Sequence, residues 1–130
     1  MVRGSLLKVL EEDVIDIIVV YRGELNEDFI KELLSFINEQ AIASRKRRFV
    51  FHVFNDREPP QYLEDLRPIL QNNILYTITT RYHRLRLDDL RELLKQLEEG
   101  GHKAFFFIQN KLVDFIKIVG NTKFQLIEFE

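Results

Sequence analysis

The chain reads as an α/β domain: a mainly parallel sheet of βαβ units in a three-layer arrangement, ending in a C-terminal antiparallel β-meander. Three observations predict this. Val14–Tyr21 and Phe49–Phe54 are apolar on both alternating faces, as strands covered by helices on both sides must be. Segments of helical period stand between the strands, the order that βαβ units produce. After Gly100 come short apolar runs separated by turn residues, the pattern of a meander.

The first element, Leu6–Leu10, alternates loosely and ends at Glu11-Glu12-Asp13. It is expected to pair as a hairpin with Val14–Tyr21. Asp16 is the one polar residue in that second run, and it is expected near the hairpin end, in water. A buried carboxylate would need a partner there. Asn26 is a good N-cap, and Glu27 and Asp28 place negative charge at the positive end of a helix dipole. Ile30, Leu33, Leu34, Ile37 and Ala41 then recur at helical spacing, so a helix is predicted from about Glu27 to Ala43.

Phe49–Phe54 follows, with His52 read as a satisfied core histidine. Pro59-Pro60 opens a helix whose buried side is Tyr62, Leu63, Leu66, Ile69 and Leu70, interrupted at Pro68. Ile74–Thr80 is β-branched and reads as a strand that could run on to Tyr82. Asp88 is placed as the cap of the next helix, Leu90, Leu93, Leu94 and Leu97 form its face, and Gly100 is its stop signal. Ala104–Ile108 reads as a strand, Asn110-Lys111 as a turn, and Leu112–Val119 and Phe124–Phe129 as the strands of the meander.

Right-handed crossovers between such units give a Rossmann-like mixed sheet. A ferredoxin-like sandwich is the rival, but its strands should be polar on one face. The length of 130 residues suits a single domain, residues 1–130, large enough to bury a core without staples. The absence of cysteine excludes a disulfide scaffold, a thiolate metal site and a cysteine nucleophile. No apolar run reaches the roughly 18–20 residues of a membrane span, and no leader is visible, so a cytoplasmic protein is expected.

In open α/β sheets, ligands sit beyond the carboxyl ends of the parallel strands. The polar residues expected there are Arg22, Asp56, Arg57, Thr79, Arg81 and His83. Arginines offer a rigid fork to phosphate or carboxylate, and His83 is the residue that would act as acid or base in an enzyme. Arg45, Lys46, Arg47 and Arg48, with Arg84 and Arg86 around Tyr82, could grip a nucleic acid if the two segments met in space. The net charge of −2 argues against a generally basic binder. His52, His83 and His102 are far apart in sequence with no metal-ligand spacing, so neither a metal nor another cofactor is expected. The phosphate-loop, dinucleotide and nucleophile-elbow motifs are absent.

Val20-Tyr21-Arg22-Gly23-Glu24-Leu25, leading into a helix, resembles the opening of anti-sigma-antagonist regulatory domains over about a quarter of the chain. Asn55-Asp56-Arg57-Glu58-Pro59 departs from that family's serine-bearing loop, and membership is not assigned.

The expected function is a non-catalytic regulatory or protein-binding module. The expected partner is a second copy, in a homodimer held through the meander by Phe115, Ile116 and Ile118. The alternative is a protein that binds or processes a phosphate-bearing ligand, a nucleotide or nucleic acid, at the strand ends.

Overall fold

The computed structural model describes residues 14–44, 48–57, 65–66 and 76–130. The expected hairpin partner Leu6–Leu10, the basic residues 45–47 and most of the proline-initiated helix lie outside them. The elements in chain order are β1 (Val14–Val20), α1 (Glu27–Ser44), β2 (Arg48–Asn55), β3 (Thr77–Arg84), α2 (Leu87–Gly100), β4 (Lys103–Gln109), α3 (Val113–Gly120) and β5 (Gln125–Phe129).

The five strands form one sheet in the order β3-β2-β1-β4-β5, and every neighbouring pair is parallel. Two parallel neighbours require a crossover on one face, and both faces are used here. Ile15, Ile17, Val19, Phe49, Phe51, Val53, Phe105 and Phe107 pack against α1 and Leu66. Ile18, Val20, Phe54, Ala104, Phe106 and Ile108 pack against α2 and α3. Helices on both faces of a parallel sheet rule out the ferredoxin-like arrangement. They also explain why β1 and β4 carry apolar residues at odd and even positions alike.

Helix α1 begins as its sequence dictates, the Asp28 N–H donating to the Asn26 Oδ1 at 2.7 Å. Its Phe29 reaches the far edge of the sheet and stacks on Phe129 with ring centroids 3.7 Å apart. Helix α2 starts earlier than expected. Its N-cap is Arg86, in extended conformation, and Asp88 and Asp89 sit in its first turn, where they favour the dipole. Among the described residues, no helix is long and apolar enough to cross a membrane.

The antiparallel meander does not exist. Leu112–Val119, expected as a strand, is the N-cap and body of α3, and β5 is parallel to β4. Leu112, Phe115, Ile116 and Val119 stand at i, i+3, i+4 and i+7, a helical stripe that a run of apolar residues disguised. Phe115 and Val119 are buried against the sheet, while Ile116 and Ile118 are half-buried in the same cluster. The unexplained apolar surface that suggested a dimer interface at Phe115, Ile116 and Ile118 is therefore largely the inner side of a helix.

Candidate functional site

The strand order reverses direction between β1 and β4, so the carboxyl ends of these two strands form the topological switch point. The turn after β1 is held from both sides. From β2, the buried Asn55 donates through Nδ2 to the carbonyls of Tyr21 at 2.9 Å and Gly23 at 3.2 Å. Asp56 Oδ1 accepts from the Gly23 N–H at 3.1 Å. From β4, the Gln109 Oε1 accepts from the Arg22 N–H at 2.9 Å. Gly23 has φ +76°, a left-handed conformation that suits glycine and lets the chain leave the sheet sharply.

Beside this turn lies an open crevice of about 320 Å³, lined by Arg22, Lys111, Leu112, Val113, Asp114 and Phe115. The loop that carries Lys111 is pinned as well. The Asn110 N–H donates to the Phe129 carbonyl at 2.7 Å, and the Leu112 N–H to the Gln109 carbonyl at 2.9 Å. Two exposed cations, Arg22 and Lys111, thus stand on fixed backbone at one crevice. Lys111 reads from sequence as a turn residue, and Asn55 and Gln109, at the ends of their strands, are not among the residues expected to form the site. Only the strand order brings Lys111 beside Arg22.

The residues expected as one strand-end cluster divide into groups. Arg22, Asp56 and Arg57 lie on adjoining loops. The Arg57 guanidinium is engaged by Asp65 and by Glu24 at 3.7 Å, and its backbone N–H donates to the Asn55 Oδ1 at 2.8 Å, so it braces the loop. Thr79 and Arg81 lie within the edge strand β3, opposite Val50 and His52, because β3 continues to Arg84. Both are exposed. Of the two basic segments, the described residues Arg48 and Arg84 also stand apart. Arg48 pairs with Thr77 and Arg84 with Asn55, at opposite ends of the β2–β3 ladder. The separation is roughly 23 Å at about 3.3 Å per residue.

A second arrangement runs across the sheet face covered by α2. Asp16 is only 3% exposed, in the body of β1, rather than in water as expected. Its Oδ1 lies 2.9 Å from the His52 Nε2 and its Oδ2 lies 2.8 Å from the His102 Nδ1. The His52 Nδ1 in turn lies 3.0 Å from the His83 Nε2. All three histidines of the chain therefore join one hydrogen-bonded chain with Asp16. A carboxylate can only accept, so His52 and His102 donate to it, and the His52 Nδ1 accepts from the His83 Nε2–H. His83 is held neutral, its pKa lowered to about 4, chiefly by burial and then by His52 and Arg81, with Asp89 opposing. It stacks on Phe54 at a centroid distance of 4.4 Å. Among the described residues, no cluster presents three ligands that could hold one metal ion. Both His52 nitrogens, the His83 Nε2 and the His102 Nδ1 face the carboxylate or each other instead.

The two ends of this chain differ. His83 is half-buried on β3, while His102, just before β4, is the exposed end. His102 is placed by the end of α2. Gly101 adopts φ +65°, its N–H donates to the Glu98 carbonyl, and the His102 N–H donates to the Leu97 carbonyl at 3.0 Å. This Schellman turn reverses the chain and points it back into β4. His102 also borders a cleft of about 560 Å³ with Leu97, Glu98, Asn121, Thr122, Lys123 and Phe124. A Cβ at Gly100 would come within 2.6 Å of the His102 Nε2, so the missing side chain leaves room for that edge of the ring. Asp16 and His102 are 86 positions apart, and no spacing rule links them. The only signal was a lone acid within an otherwise apolar strand.

The chain matches no protein-family model, and no curated protein or solved structure matches it.

Proposed function

We propose that this chain is a non-catalytic regulatory module that binds a small phosphate-bearing ligand, by class a mononucleotide, in the crevice at the ends of β1 and β4. The observation that carries the reading is the pair of cations, Arg22 and Lys111, on pinned backbone at the topological switch point. Arg22 supplies a forked donor set to a phosphate and Lys111 a point charge. Leu112 and Phe115 offer an apolar wall to a base, and Asp114 an acceptor to a ribose hydroxyl. A crevice of about 320 Å³ is at the small end of ligand sites, which span roughly 300–1,000 Å³. That size favours one nucleotide over a dinucleotide. The lining supplies anchors and no histidine, and His83 lies two strands away from β1 and three from β4.

Titration calorimetry with mono- and diphosphate nucleosides and inorganic phosphate tests this reading. A nucleotide should bind with an affinity that falls as salt rises. Arg22→Ala and Lys111→Ala should each weaken it by about tenfold, the effect of losing one charge-assisted contact of about 1.4 kcal/mol. Binding that both variants leave unchanged, or no heat with any of these compounds, defeats the proposal.

A further inference from the structure

We propose that His102 is a phosphoryl-acceptor site, a modification site distinct from the crevice at the ends of β1 and β4, and that its donor is a phosphoramidate. Three features of the fold support it. The His102 Nδ1–H donates to Asp16 Oδ2 at 2.8 Å, which fixes the tautomer and leaves the Nε2 of the neutral ring with its lone pair available. Asp16 is itself immobilised, because its other oxygen is held by the buried His52. Gly100 has no side chain to crowd the Nε2, and the ring borders an open cleft with Lys123 and Asn121, a cation and an amide suited to phosphoryl oxygens.

The arrangement is that of a nucleophile oriented by a carboxylate on the opposite ring nitrogen. In the step, the Nε2 lone pair attacks phosphorus and an N–P bond forms. The donor reacts in its nitrogen-protonated, zwitterionic form, so when its P–N bond breaks the electron pair leaves with the nitrogen as neutral amine or ammonia. The ring keeps its Nδ1 proton and becomes a phosphorylated imidazolium, and the Asp16 carboxylate beside that proton stabilises the new positive charge. The step needs no oxidant, and it needs no general acid because the leaving nitrogen is protonated before the bond breaks. His52 and His83 are poor competitors. His52 is 2% exposed with both ring nitrogens bonded, and the half-buried His83, stacked on Phe54, sets its Nε2–H on an imidazole, so its Nδ1 lacks a carboxylate on the opposite nitrogen.

The test treats the full chain with potassium phosphoramidate at neutral pH, where the donor nitrogen is protonated, with N-acetylhistidine in the same tube as an internal standard. Incorporation is followed by intact mass and located by tandem mass spectrometry. His102 should be modified faster than N-acetylhistidine by about tenfold, the factor that accompanies one pK unit of differential stabilisation. Asp16→Asn should remove that advantage. Gly100→Ala, which leaves Asp16 and His52 in place, should remove it too, because the added Cβ displaces the His102 ring from its bond to Asp16, so the test does not depend on Asp16→Asn folding. Exposure alone predicts the reverse, since a partly covered ring reacts more slowly than a free one. Reaction at His102 no faster than the standard, reaction spread evenly over the three histidines, or an advantage that survives Gly100→Ala would each overturn the assignment.

Discussion

Asp16 and His52 face each other from adjacent central strands at 2.9 Å, both with side chains less than 5% exposed. A buried pair of this kind is worth little against a well-packed apolar alternative. Breaking it from one side is costly, because the remaining group is left in low dielectric. His52→Leu should therefore destabilise the fold by about 3–5 kcal/mol, read as a drop in the urea midpoint. The double variant Asp16→Leu, His52→Leu should recover much of that loss. A double variant as unstable as the sum of the two single ones would mean that the pair is not coupled.

The same chain makes stability depend on pH. His83 is neutral in the fold, its pKa lowered to about 4 by burial and by the neighbouring His52, against 6.5 in the unfolded chain. The unfolded state thus binds more protons in this window, and stability rises with pH between them. On acidification, stability should fall progressively from about pH 6.5 to about pH 4. His83→Gln, which keeps a donor for His52, should flatten that slope in thermal melts taken across the range. A slope unchanged by the substitution would assign the effect to other groups.

The parallel sheet and its helices were legible because burial on both faces leaves its mark on β1, β2 and β4 directly. The helix stripe of α1 was legible for the same reason, with Asn26 to mark its start. The α3 segment was not, because eight residues with Phe115, Ile116, Ile118 and Val119 satisfy a strand by composition and a helix by spacing. Composition misled there, and the expected reversal of β5 followed from it. Arg22 was legible as a strand-end cation, since its place depends on local order alone. Its neighbour Lys111 depends on β1 and β4 lying side by side, a fact of strand order. The Asp16–His102 contact depends in addition on the glycine turn at the end of α2. Long-range contacts of this kind leave no trace in periodicity.

Asn55 should matter more than its short polar side chain suggests. It is 1% exposed, donates to two carbonyls of the β1 turn, and accepts from the Arg57 N–H at 2.8 Å. Asn55→Ala leaves the buried Tyr21 carbonyl and the part-buried Gly23 carbonyl and Arg57 N–H without this partner, which should cost about 2–3 kcal/mol. Because the same side chain fixes the turn that carries Arg22, the variant should also weaken nucleotide binding under conditions where it is fully folded. Calorimetry at low temperature separates the two effects. Lowered stability with unchanged affinity would show that Gln109 alone positions Arg22.

The two glycines at the end of α2 should respond differently to the same added methyl group. Gly101 sits at φ +65°, and a methyl group added there would meet nothing within 4 Å, so Gly101→Ala is penalised through the backbone alone, by about 1 kcal/mol. Gly100 has no unusual φ, but its added Cβ would fall 2.4 Å from the His102 Cδ2 and 2.6 Å from the Nε2. The His102 side chain, being exposed at one edge, can swing away, so Gly100→Ala should displace the ring and break its 2.8 Å bond to Asp16. The expected signature is spectroscopic. The His102 Nδ1–H resonance, slowed in exchange by its carboxylate partner, should be lost in Gly100→Ala and retained in Gly101→Ala, even where the two variants melt at similar temperatures. Retention of that resonance in Gly100→Ala would mean that the backbone of the turn yields instead of the ring.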